Sequence, residues 1–213
     1  MSRAEISRPQ ISPLVAILRG VRPDEVVAIG EALVDAGFGT IEVPLNSPAP
    51  LDSIGRLAHA FGDRCLVGAG TVLKADDVDA VKAAGGALIV TPNTDAAVIR
   101  RAVALGLQTA PGFATASEAF AAIAAGARAL KLFPASTYGP AHLKALKSVL
   151  PKEVPVFAVG GVGALDMTPW IAAGAAGFGI GGELYRPGDL PDAVGRKARA
   201  LVSALAAASP AQN

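Results

Sequence analysis

Lys131 stands in the run Ala-Leu-Lys-Leu-Phe and Glu42 in Thr-Ile-Glu-Val-Pro, each a charged residue inside an otherwise apolar stretch. Such groups are almost never buried without a partner or a chemical role. Side chains of an extended segment alternate between faces, so Leu130 and Leu132 oppose Lys131, and Ile41 and Val43 oppose Glu42. An ammonium held among apolar neighbours is disfavoured, its pKa falls, and the amine becomes a nucleophile near neutral pH. A carboxyl group facing it can carry protons. The competing reading is a structural ion pair in which Glu42 only neutralises Lys131.

Two further polar residues follow apolar runs, Arg19 in Ala-Ile-Leu-Arg-Gly and Thr71 in Gly-Ala-Gly-Thr-Val. A guanidinium fork can hold a carboxylate, and a hydroxyl can donate to it. The plainer alternatives are a rim salt bridge for Arg19 and a turn residue for Thr71. Gly160–Gly161 and Gly181–Gly182 each close an apolar run near the end of the chain. One glycine pair signals a tight turn, whereas two pairs in the last two strand-to-helix loops of a barrel suit a phosphate held on backbone N–H groups.

The elements that must position these groups recur with a period of twenty-odd residues. Gly37, Gly62, Gly85, Gly106, Gly126 and Gly174 each precede a short apolar run, as expected where a helix stops and a strand begins. Between them, residues 23–36, 76–84, 95–105 and 115–125 have helical spacing. Apolar runs at 15–19, 40–44, 65–71, 87–91, 108–111, 129–133, 156–160 and 176–181 barely alternate, as strands covered on both faces do. Eight strand–helix units specify an α/β fold of the (β/α)8 TIM-barrel type, with residues 1–213 as one domain and a short extra helix ahead of Pro13. In that order Glu42 falls on the second strand and Lys131 on the sixth. Equal parity lets both face one cavity, and Arg19 and Thr71 share the odd parity.

Composition narrows the function classes. The 213 residues are 52% hydrophobic and 17% charged, which excludes disorder and implies a sizeable core. Nineteen Lys and Arg balance eighteen Asp and Glu, leaving a net charge of +1 and no basic surplus for nucleic acid or an anionic membrane. The longest charge-free stretches, 102–117 and 167–182, are 16 residues each, short of the ~20 a spanning helix needs. The opening residues lack the apolar block of a secretory signal, and the one cysteine, Cys65, permits no internal disulfide, so a cytoplasmic protein is expected. Neither His59 and His142 nor Cys65 forms a metal-binding cluster, and a structural role for Cys65 is expected.

LVAILRG, IEVPLNSP, GAGTVL, IVTPN, ALKLFPAS and VFAVGGV, in this order, resemble the pyruvate-dependent Schiff-base aldolases of the 2-dehydro-3-deoxy-phosphogluconate and 4-hydroxy-2-oxoglutarate family. The likeness spans residues 12–205. It implies Lys131 as the Schiff-base lysine and Glu42 as proton donor and acceptor, in agreement with the reading from the residues alone. It implies Arg19 and Thr71 at the pyruvate end, Pro92 and Phe133 lining it, and phosphate at Gly160, Gly161, Gly181 and Gly182. Many relatives carry serine at the place of Gly182, so a hydroxyl donor to phosphate is missing there. Gluconate-type members carry arginine where Asn46 stands and threonine where Val159 stands, the latter position bearing on stereochemistry; these two residues side with the galactonate-type branch. The resemblance thus implies cleavage of a phosphorylated 2-keto-3-deoxy sugar acid to pyruvate and D-glyceraldehyde 3-phosphate, no metal or organic cofactor, and a homotrimer. Three alternatives stay open: the gluconate epimer as main substrate, a phosphosugar isomerase or epimerase barrel, and a non-catalytic barrel that binds phosphorylated acids.

Overall fold

The computed structural model describes residues 10–209. The helix expected ahead of Pro13 falls on sequence that lies mainly outside the described residues. Strand β1 (Leu14–Ile17) runs parallel to β2 (Thr40–Pro44), and the ladder continues through β3 (Leu66–Gly70), β4 (Leu88–Val90) and β5 (Gln108–Ala110). On its other edge β1 pairs with β9 (Gly177–Ile180), followed by β8 (Val156–Val159), β7 (Leu130–Leu132) and β6 (Gly112–Phe113).

Eight expected strands are therefore observed as nine. The extra one arises at Pro111, which lies between β5 and β6 and has no N–H to give to a ladder. β5 pairs with β4 and β6 with β7, so the two pieces are halves of one fifth barrel strand. The Lys131 N–H donates to the Pro111 carbonyl across the join at 2.9 Å. The parallel sheet thereby closes into a (β/α)8 barrel.

Helices α1 (Val26–Asp35), α2 (Pro50–Phe61), α3 (Ala75–Ala83), α4 (Ala96–Ala104), α5 (Ala116–Ala124), α6 (Ala135–Lys147), α7 (Met167–Ala172) and α8 (Pro191–Ala208) follow the strands in turn. Two of their starts, those of α4 and α5, are fixed by side-chain oxygens. Asp95 accepts from the N–H groups of Ala97 and Val98, and Thr115 and Glu118 form a reciprocal capping box on α5. α1 begins three residues later than expected, because residues 23–25 form a turn in which the Glu25 and Val26 N–H groups donate to the Arg22 carbonyl. α8 continues through Ala208, carried there by helix-favouring alanines. Of the six glycines expected to stop helices, five adopt φ between +75° and +104°, and Gly62 stays right-handed at −54°.

Alternation along each strand divides two apolar compartments. Ile41 and Val43 of β2 and Leu130 and Leu132 of β7 are fully buried on the side of the helices, in one continuous core with residues such as Ile29, Leu33 and Leu57. Truncating one of them, Leu33→Ala for example, costs about 2–5 kcal/mol. Inside the barrel lie two smaller clusters, Val15, Ile17, Ala129, Phe157 and Val159 on one side and Leu66, Leu88, Val90 and Ala110 on the other. Ile11, just ahead of β1, packs against both and closes the amino end. The opposite end is left to polar residues.

Candidate active site

Glu42 and Lys131 point inward from β2 and β7, 2% and 7% exposed, and both line a cavity of about 310 Å³ including the space open at its mouth. The remaining wall is apolar, with Val15, Ile17, Val90, Phe157 and Val159 among its residues. Burial dominates the titration of both groups. It pulls the Lys131 amine down and pushes the Glu42 carboxyl up; each partner's charge opposes its neighbour's shift, while the nearby Arg19 guanidinium favours ionised Glu42 and neutral Lys131. The two therefore titrate as a coupled unit in which a neutral amine is accessible. Glu42 Oε2 has no hydrogen-bond partner among the described residues. Leaving such an atom unpaired costs about 1–3 kcal/mol, which suits a group that bonds to something entering the cavity.

Gly70 makes the Glu42 pose possible. A Cβ at Gly70 would lie 2.0 Å from Glu42 Oε2, so any side chain there would displace the carboxylate. Gly112 similarly allows the Pro92 backbone to approach, since a Cβ there would lie 2.3 Å from the Pro92 carbonyl. Lys131 Nζ lies 5.0 Å from the centre of the Phe133 ring, whose face can stabilise a cation formed on that nitrogen.

The other expected residues gather at the carboxyl ends of the strands, with one adjustment. Arg19 and Thr71 lie beyond the ends of β1 and β3, so strand parity does not place them in a shared interior layer. Arg19 is exposed and its Nη1 donates to Asn46 Oδ1 at 2.8 Å, an uncharged partner rather than a rim carboxylate. Thr71 is half-buried with φ of +56°, a backbone conformation that costs a non-glycine residue about 1–3 kcal/mol and recurs at functional sites. Pro92 and Phe133 are half-buried just past β4 and β7, and Val159 is buried at the end of β8. Gly160 and Gly161 follow β8 with φ of +97° and +69°. Gly181 and Gly182 follow β9 in a single helical turn, where the N–H groups of Leu184 and Tyr185 donate to the Gly181 carbonyl.

Three residues at this face were not singled out by type. Ser47 accepts a hydrogen bond from the Gly20 N–H at 2.9 Å, tying two loops together. The Ser136 N–H donates to the Gly160 carbonyl, and its hydroxyl sits 2.6 Å from where a Gly161 Cβ would be, directly above the glycine pair. Gly70 belongs to a run rich in small residues, the one sequence signal that space was being reserved. Cys65 is buried and burial raises its thiol to about 12, so it is an inert core group. His142 Nε2 lies 2.6 Å from the Ala114 carbonyl and its ring stacks on Tyr138, a packing role.

Fold and site together define a class, the (β/α)8 barrels with a buried lysine–carboxyl pair facing one cavity. The family model described as "Aldolase: KDPG and KHG aldolase" matches residues 6–192. The chain is 53% identical to the 2-dehydro-3-deoxy-6-phosphogalactonate aldolase of Escherichia coli K12 over 192 residues, 90% of this chain and 94% of that protein. A solved structure described as native KDPGal superimposes with a TM-score of 0.92 at 51% identity, covering 95% of this chain and 98% of the other. A cube-shaped, highly porous protein cage designed by fusing symmetric oligomeric domains matches at the same TM-score with 52% identity, over 93% of this chain and 74% of the cage chain. The chain belongs to the KDPG and KHG aldolase family.

Proposed function

We propose that this chain is a single-domain class I aldolase that cleaves 2-dehydro-3-deoxy-6-phospho-D-galactonate to pyruvate and D-glyceraldehyde 3-phosphate. The observation that carries the reading is Lys131, an amine on a barrel strand, buried beside Glu42 with its pKa depressed. Neutral Lys131 attacks the C2 ketone of the sugar acid to give a carbinolamine. Glu42 supplies the proton with which the hydroxyl leaves as water, and an iminium remains. Glu42 then takes the proton of the C4 hydroxyl as the C3–C4 bond breaks, and its electron pair flows into the iminium to form an enamine. Glyceraldehyde 3-phosphate departs. Protonation of the enamine at C3 and hydrolysis of the resulting imine release pyruvate and return the free amine. The proton taken from the C4 hydroxyl is returned at C3, and the water lost in forming the iminium is regained in its hydrolysis, so the cleavage balances.

Arg19 and Thr71 hold the pyruvyl carboxylate, Pro92 and Phe133 border it, and the phosphate rests on Gly160, Gly161, Gly181 and Gly182. Val159, buried beside the cavity, presents methyl groups where a hydroxyl would otherwise read the C4 configuration. The relation to the E. coli galactonate-type enzyme and the apolar surface of Val159 both support the galactonate epimer over the gluconate one. Rates of pyruvate release from the two epimers test this. Wild type is expected to prefer the galactonate form and Val159→Thr to narrow the preference; equal rates in wild type would overturn the epimer assignment. The assembly is a homotrimer, a reading supported by the symmetric oligomeric origin of the related cage chain. A cytoplasmic location fits the single reduced cysteine and the substrates named; among the described residues, no helix is long and apolar enough to cross a membrane.

A further inference from the structure

Arg19 is exposed, and an exposed arginine normally samples many rotamers. Here the backbone on both sides of it is fixed to β2 and the loop that follows. The Leu18 N–H donates to the Glu42 carbonyl at 3.0 Å, and the Gly20 N–H donates to Ser47 Oγ at 2.9 Å, Ser47 being buried. Between those two anchors, the side chain itself is held: Arg19 Nη1 donates to Asn46 Oδ1 at 2.8 Å. Consecutive residues 46 and 47 thus grip consecutive residues 19 and 20, one through a side chain and one through the backbone.

The partner's chemistry matters as much as its position. An amide oxygen fixes one N–H of the guanidinium fork without cancelling its charge, and the other N–H groups remain for a ligand. A carboxylate at position 46 would give the same geometry and neutralise Arg19. That charge reaches the interior, since it favours ionised Glu42 and neutral Lys131. We propose that Asn46 is a positioning residue that aims Arg19 at the carboxylate of a 2-keto acid, setting affinity for the pyruvyl end of the substrate while leaving the phosphate end untouched. This deepens the proposed function and rests on it.

The experiment runs the reaction in the direction of aldol addition, where pyruvate and D-glyceraldehyde 3-phosphate are varied separately. Loss of a hydrogen bond that fixes a charged group is expected to raise KM for pyruvate about tenfold in Asn46→Ala, with KM for glyceraldehyde 3-phosphate within about twofold of wild type. Asn46→Asp keeps a side-chain acceptor, yet is expected to raise KM for pyruvate as well and to move the pH profile of borohydride trapping with pyruvate upward, because Arg19 no longer helps Lys131 lose its proton. The groups facing Lys131 in that titration are Glu42 and Arg19. Pyruvate KM within about twofold of wild type in Asn46→Ala, equal rises in both KM values, or an unmoved profile in Asn46→Asp would overturn the positioning role. A wild-type enzyme that traps no pyruvate would overturn the aldolase reading itself, and the inference with it.

Discussion

Replacing Glu42 by glutamine keeps the shape of the side chain and removes its capacity to carry a proton. Turnover is expected to fall about 10²–10⁴-fold with the circular dichroism spectrum unchanged, and undiminished turnover would take Glu42 out of the mechanism. The same pair leaves a mark on stability. The Glu42 pKa is raised in the folded protein, so the folded state holds a proton that the unfolded state releases, and the stability this confers is lost as pH rises. In Lys131→Met the opposing charge is gone and the Glu42 shift grows. The melting temperature of that variant is therefore expected to fall more steeply than that of wild type as pH rises above the ordinary carboxylate range, and a flat profile would contradict the coupling. Lys131 and Glu42 were legible in the sequence because a charge inside a Val/Ile/Leu run has few explanations. Asn46, Ser47 and Ser136 were not legible as contacts, because each acts on a residue from another strand end, and that adjacency exists only once the barrel has closed.

At the level of elements, small residues in strands make room for the chemistry. Gly70→Ala would set a methyl group 2.0 Å from Glu42 Oε2. A carboxylate displaced by about 1 Å costs on the order of 100-fold in rate. Gly70→Ala is thus expected to lose activity while keeping the barrel's far-ultraviolet spectrum, and near-normal kinetics would show that Glu42 need not occupy its observed position. The glycine period and the uninterrupted apolar runs exposed most of the alternation of helix and strand. Two boundaries escaped it for identifiable reasons. Pro111 sits inside a run that reads as one strand, and its missing N–H splits the fifth strand into β5 and β6. Ahead of α1, Pro23 looks like a first helical residue, but the Arg22 carbonyl closes a turn instead.

For the whole molecule, the barrel separates an apolar amino end, where Ile11 packs, from a carboxyl end where loops from seven of the eight barrel strands, the fifth aside, carry the residues discussed. Under the proposed assignment, binding energy from a phosphate on the loops after β8 and β9 would orient a substrate whose reacting carbons lie between β2 and β7. The closed (β/α)8 topology followed from counting strands. Assembly did not, since strand counting says nothing of subunit contacts and the trimer is implied only by the family resemblance. The proposed trimer is expected to show a light-scattering mass three times that of one chain; a monomeric wild type would contradict the assembly.

Trapping with pyruvate and borohydride bears most directly on the central claim. Wild type is expected to gain one reduced pyruvate per chain, mapped by peptide mass to Lys131, and Lys131→Ala to gain none. An adduct of equal yield in Lys131→Ala, or none in the wild type, would contradict the claim that this buried amine performs the chemistry.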